Sequence, residues 1–198
     1  MIEIRACQGS EVAPYLDAVA ALRIRVFRDW PYLYAGDHAY ETKYLATYAR
    51  SAQSLFVLAL DGERVIGAST GVPLTDETPA FQRPFVERGI ALTEVFYFGE
   101  SVLLHDYRGC GLGHRFFDER ERHARRLGRF AMTAFCAVER AMDDPRRPDG
   151  YRPNDVFWTK RGYRRQDDMF CLLEWQEIGR DVPDSHHLRF WLRPLDHA

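Results

Sequence analysis

Apolar residues recur along this chain with two periods, and the switches between them divide it into elements. Residues 2–5 read as a short edge strand. Over 11–27, Val12, Leu16, Val19, Ala20, Leu22 and Val26 return at mixed three- and four-residue steps, the spacing of one helix face, with Ser10 placed to cap the helix and Pro31 to end it. A second helix is predicted over about 39–52, carrying Tyr40, Tyr44, Leu45 and Tyr48 on one side. Residues 54–60 and 65–72 read as strands joined through Asp61 and Gly62, a hairpin signal. The stretch 73–93 holds Pro73, Pro79 and Pro84 and keeps no period, so it is expected to be a long connection of the kind that forms lids or binding loops.

A strand resumes over 95–104, and Gly99 in its interior marks a bulge or a close backbone approach. Helix 112–127 should bury Leu112, Phe116, Ala124 and Leu127 and turn the charged run 118–126 to solvent. Residues 130–138 are almost continuously apolar, as at the centre of a sheet. After a Pro/Asp/Arg-rich loop at 140–153 and a short helix near 154–161, strands are predicted at 169–175 and 188–193. In the last of these Leu188, Phe190 and Leu192 alternate with Arg189, Trp191 and Arg193. The order implies one α/β domain over 1–198: an open mixed sheet with helices on both faces.

One segment carries chemistry. In ESVLLHDYRGCGLGHRFF an apolar strand runs through a glycine-rich turn into an amphipathic helix. A helix N-terminus presents unpaired N–H groups and about half a positive charge, so Gly109, Gly111 and Gly113 read as a cradle for phosphate. The spacing departs from the dinucleotide GxGxxG, and His114 and Arg115 stand where a triphosphate loop needs Lys and Ser or Thr.

The pattern Arg108-x-x-Gly111-x-Gly113 resembles the pyrophosphate loop of the GNAT family of acyl-CoA-dependent N-acyltransferases. The segment VFWTKRGY at 156–163 is similar to that family's late LYxxxGF helix. The close resemblance covers about residues 94–174. It implies a mostly antiparallel sheet of about seven strands, splayed beside the strand that precedes the loop, with acetyl-CoA in the gap. It places backbone bonds to the pantetheine arm at Ser101, Val102 and Leu103, and the diphosphate at Arg108, Gly109, Cys110, Gly111, Leu112, Gly113 and His114. Asn154, opening the late helix, joins the cofactor set.

The reaction so implied is acetyl transfer from the thioester to a primary amine of a small molecule or peptide. A protonated amine has no lone pair, so a base is needed. Glu100, on the strand beside the gap, is the first candidate, the alternative being a carboxylate paired with an arginine or turned away; Glu139 is the second. The family's usual acid, a late-helix tyrosine, is replaced by Trp158, whose indole N–H donates a hydrogen bond but not a proton at neutral pH. Tyr97 or Tyr151 could substitute, or the thiolate could leave unassisted. The aromatic run DWPYLYAGDHAYETKY places Trp30, Tyr32, Tyr34 and Tyr40 as candidate walls of an acceptor pocket, with Glu41 or Asp37 to meet a cationic amine. Two alternatives stand beside this reading: a non-catalytic acyl-CoA-binding or regulatory domain, and an interaction module whose aromatic segment forms a homodimer or partner interface.

Composition narrows the class further. A formal net charge of −2 argues against general binding to nucleic acid or anionic membranes. No apolar run approaches the roughly 18 residues of a membrane span, and residues 1–8 lack a signal peptide's apolar core, so a cytoplasmic protein is expected. Cys7, Cys110, Cys136 and Cys171 are too scattered for zinc and are expected as free thiols, and no metal site is expected. His186, His187 and the pairs Asp143/Asp144 and Asp167/Asp168 are expected at the surface or in turns.

Overall fold

A computed structural model describes residues 1–196. The elements are strands β1 (Ile2–Gln8), β2 (Leu55–Asp61), β3 (Arg64–Pro73), β4 (Val95–Tyr97), β5 (Ser101–Leu103), β6 (Met132–Val138), β7 (Arg164–Trp175) and β8 (Asp184–Pro194). The helices are α1 (Leu16–Phe27), α2 (His38–Arg50), α3 (Pro79–Val86), α4 (Leu112–Leu127) and α5 (Asp155–Lys160). The strands form one eight-stranded sheet in the order β1-β2-β3-β4-β6-β8-β7, with β5 paired to β3. Only β4 and β6 run parallel. Because β4 and β5 are halves of one interrupted strand, the sheet has seven strand positions.

Side chains alternate across a strand, and β4 sorts the two layers accordingly. Tyr97 packs on Phe81 of α3, while Phe96 and Phe98 point to the opposite face, where Phe98 meets Phe117 of α4. That second face is aromatic: Phe117, Phe135, Tyr163 and Trp191 join Phe157 and Trp158 of α5 and fasten the short helix against α4. An isolated helix this short would not persist in water. Packing on the ring cluster is what holds it.

Four expectations change. The first helix does not start at residue 11: residues Gly9–Tyr15 form a 3-10 turn containing Pro14, and Glu11 rather than Ser10 satisfies the terminus by accepting from the Gln8 amide at 2.8 Å. The stretch 73–93 is not a structureless loop but contains α3, which begins with Pro79 in its first turn, where a missing N–H costs little. Two turns are too short to display a helical period. The charged run on α4 is not simply solvated, since Arg120, Glu121 and His123 are buried beneath it. His186 is buried too, stacked 3.6 Å from the Trp175 ring.

Candidate active site

The interruption between β4 and β5 creates the site. Thr70 of β3 faces two residues at once: Gly99 donates its N–H to the Thr70 carbonyl, and the Thr70 N–H donates to the Glu100 carbonyl, both at 3.1 Å. This is a β-bulge, and it bends the strand away from β6. The last tie to β6 is the Phe98 N–H on the Ala134 carbonyl at 2.8 Å; beyond it β5 pairs with β3 alone. Gly99 is required by close approach. A Cβ there would lie 2.6 Å from both the Tyr48 hydroxyl and Thr70 Oγ1.

The bulge sets which backbone groups face the gap. Glu100 and Leu104 bond β3 through Thr70 and Ile66, so antiparallel alternation turns the Val102 amide and carbonyl toward Ala68 and leaves Ser101 and Leu103 pointing into the opening. Of the three strand residues expected to meet the pantetheine arm, Val102 therefore faces the wrong neighbour. The Leu103 carbonyl accepts from Arg108 Nε at 3.3 Å.

At the end of β5 the chain makes a 3-10 turn and enters the glycine loop. Gly109 and Gly111 have φ of +79° and +78°, and a Cβ on either would meet nothing within 4 Å. These glycines serve the left-handed backbone and leave open space above it. The Arg108 amide is spent on the His105 carbonyl and the His114 amide on the Gly111 carbonyl. Between them, the amides of Gly109, Cys110, Gly111, Leu112 and Gly113 have no acceptor among the described residues. They lie in sequence around the N-terminus of α4.

Above the bulge, on the face covered by α1, α2 and α3, lies a cavity of about 180 Å³. Tyr32, Tyr34, Tyr40, Tyr44 and Tyr97 contribute to its walls with Gly99, Glu100 and Cys136. Arg23 sits buried in the wall with its guanidinium against both Glu41 and Glu100 and over the Tyr44 ring. Burial works against the charge on Arg23, but Glu100, Tyr44 and Glu41 outweigh it and raise its pKa. Neither Glu100 oxygen accepts an in-line hydrogen bond; the contact is ionic.

No family model matches the chain, and no curated protein does. Solved structures do. An acetyltransferase of the GNAT family from Staphylococcus aureus is similar over 98% of this chain and 100% of its own, at 12% identity and a TM-score of 0.61. One from Streptococcus pneumoniae gives 13% identity, 98% and 99% coverage and a TM-score of 0.57. The chain has the GNAT fold. A ribosomal-protein-alanine N-acetyltransferase from Brucella melitensis shares it at 15% identity, with 98% and 99% coverage and a TM-score of 0.62.

Within this GNAT fold the residues singled out from sequence are only partly brought together. Glu100, Tyr32, Tyr34 and Tyr40 meet at the cavity. Trp30 does not line it but packs edge-on against Tyr151, with ring centroids 6.2 Å apart. Glu139 lies outside as well, held first by Arg189 and then by Arg165, whose hydrogen bonds lower its pKa against the effect of burial. Asn154 is exposed at the start of α5, and Trp158 stands in the aromatic cluster, T-shaped against Phe135 and Trp191. Among the described residues no helix is long and apolar enough to cross a membrane.

Three contributors escaped the sequence reading. Arg23 sits on an otherwise apolar helix face, where an arginine is itself a signal of a buried partner. Glu77 lies buried behind the cavity in the stretch read as a loop. Arg140 ties the 139–153 loop to the aromatic segment, donating from Nε to the Pro31 carbonyl at 2.6 Å and from Nη2 to the Tyr32 carbonyl at 3.1 Å. It also pairs with Glu177 at 2.5 Å, and Trp175 Nε1 donates to the same Tyr32 carbonyl at 3.0 Å.

Proposed function

We propose that this protein is an acetyl-CoA-dependent N-acetyltransferase acting on a cationic primary amine of a small molecule or peptide. The observation that carries the reading is the row of five unshared amides running from the glycine turn into the first residues of α4, over glycines that leave room for an anion. Gly109 to Gly113 would hold the diphosphate through those amides. Ser101 and Leu103 would pair with the amide-rich arm, as an added strand pairs with an open edge. Bound acetyl-CoA would supply the acetyl thioester that the amine attacks.

The acceptor class follows from the cavity's charge. Three carboxylates, Glu41, Glu100 and Glu174, line it against the single guanidinium of Arg23. An excess of negative charge among aromatic faces suits an ammonium group. Glu100 stands beside the gap with its carboxylate held against Arg23. On the leaving side Trp158 cannot act as acid, and Tyr97 is engaged with Cys136 Sγ at 3.1 Å. A thiol with a pKa of about 8.5 can depart as thiolate without help near neutrality.

The same Trp158 favours a second reading, a domain that binds acyl-CoA without turning it over. One experiment separates the two. Acetyl-CoA at concentrations well above a micromolar dissociation constant should raise the melting temperature, and a panel of amines should release free thiol with at least one member. Stabilisation without thiol release supports the binding domain; neither effect refutes both.

A further inference from the structure

Behind the bulge three oxygen-bearing side chains form a directed chain. The hydroxyl of Tyr44, a residue of the cavity wall, donates to the Tyr48 hydroxyl at 3.0 Å. The Tyr48 hydroxyl donates in turn to Glu77 Oε1. The other Glu77 oxygen accepts the Thr78 amide at 2.8 Å, and its backbone carbonyl accepts from Gln82 Nε2 at 2.7 Å. Glu77 has 7% of its surface exposed and, among the described residues, no basic partner, unlike Glu41 and Glu100. The glycine at position 99 exists to let Tyr48 pass: its hydroxyl occupies the space a side chain there would need.

We propose that Glu77 is the terminal proton acceptor of the acetyl transfer, reached from the cavity through the hydroxyls of Tyr44 and Tyr48. The inference rests on the N-acetyltransferase reading and deepens it. The amine's ammonium gives a proton to the Tyr44 oxygen, Tyr44 passes its own to Tyr48, and Tyr48 passes its own to Glu77. The nitrogen keeps its lone pair for the thioester, the tyrosines end neutral, and Glu77 becomes a carboxylic acid. No charged tyrosinate need persist, which matters because burial raises the pKa of both Tyr44 and Tyr48 well above its ordinary value.

Burial raises the Glu77 carboxyl to about 7, against the opposing hydrogen bonds from Tyr48 and Thr78. That is where a base must lie to be both ionised and basic at neutral pH. The groups facing it are Tyr44 and Tyr48 from α2, Tyr40 one turn earlier, Arg23 from α1, Tyr97 and Glu100 flanking the bulge, and Cys136 from β6. Arg23, the one cation of the set, is already matched by two carboxylates.

The test is the pH profile of kcat/KM between pH 5 and 9, with free thiol as readout and the best-accepted amine as substrate. Wild type should rise through a midpoint near 7. Glu77→Gln should remove that inflection and lower kcat by about 100-fold. Tyr48→Phe should lower it at least tenfold, and both should keep the melting shift given by acetyl-CoA. If Glu77→Gln fails to fold, Tyr48→Phe carries the test. An active wild type with indifferent variants overturns the relay alone, whereas a wild type that acetylates no amine overturns the enzyme reading and the relay with it. Carbon-13 NMR of the Glu77 carboxyl supplies a readout without substrate: a midpoint near 7 supports the relay, and one below about 5.5 overturns it whatever the assay shows.

Discussion

Arg120 reaches across from α4 to the carbonyl oxygen of Glu100, with Nη1 at 3.1 Å. The same nitrogen donates to the Thr70 carbonyl at 3.2 Å, and Nη2 donates to Ser101 Oγ at 2.8 Å. The guanidinium lies between the Phe98 and Phe117 rings, 4.2 and 4.7 Å from their centroids. Burial lowers its pKa to about 10, which still leaves it charged at neutral pH. Glu100 is thus gripped twice: by its backbone from the α4 side and by its carboxylate from Arg23 on the other.

Replacing Arg120 with Met keeps most of the packing and removes the three hydrogen bonds that its guanidinium donates at the bulge. Charged hydrogen bonds are worth about 1.5–3 kcal/mol each, and the bulge carbonyls would be left short of partners, so a loss of about 3 kcal/mol is expected in urea unfolding. A loss below 1 kcal/mol would mean that β3 alone holds the bulge.

Arg23→Met removes the guanidinium that pairs with two buried carboxylates. Breaking such a group from one side costs about 3–5 kcal/mol. Converting Glu41 and Glu100 to Gln in the same chain should recover most of it, because no buried charge then stands alone. Lack of recovery in the triple variant would show that Arg23 acts through packing on Phe27 and Tyr44 instead.

Gly111→Ala separates the fold from the cradle. The left-handed backbone makes the change cost about 1–2 kcal/mol of stability, since an alanine is disfavoured there but nothing crowds its methyl. That methyl would stand in open space beside the free amides' own backbone. Calorimetric titration with acetyl-CoA should show affinity falling at least tenfold, and unchanged affinity would move the diphosphate elsewhere.

Glu77 also leaves a signature on stability. Its folded pKa of about 7 exceeds its ordinary value of 4.5, so the folded state holds the proton more tightly. The contribution is complete below pH 4.5 and is lost as pH rises through 7, about 3 kcal/mol in all by proton linkage. Urea unfolding of wild type and Glu77→Gln should therefore diverge between pH 5 and 7, with the wild type losing stability relative to the variant. Parallel curves would show that the carboxyl titrates normally.

Much of the site was readable before any coordinates. Gly99, alone inside an apolar strand, announced the bulge, and the Arg108-x-x-Gly111-x-Gly113 spacing announced the left-handed glycine turn into α4. What stayed hidden arose from long-range pairing. Nothing local to Arg23 says that its partners lie 18 and 77 residues away at Glu41 and Glu100. Glu77 sits among prolines that mask a two-turn helix, and its burial comes from α2 rather than from its own segment. Val102 illustrates a finer limit: which of three neighbouring amides faces the gap depends on the register with β3, and one step reverses it.

Arg140 and Trp175 both fasten the carbonyl of Tyr32, while Glu177 ties Arg140 to Arg146 and the Tyr34 backbone bridges Glu177. Two chain segments and the end of β7 therefore share one anchorage along the rim of the cavity. Such a rim cannot swing aside piecemeal. An amine of the proposed class would meet a slot whose width is set beforehand, and an oversized one would be turned away by exclusion rather than embraced by a closing flap.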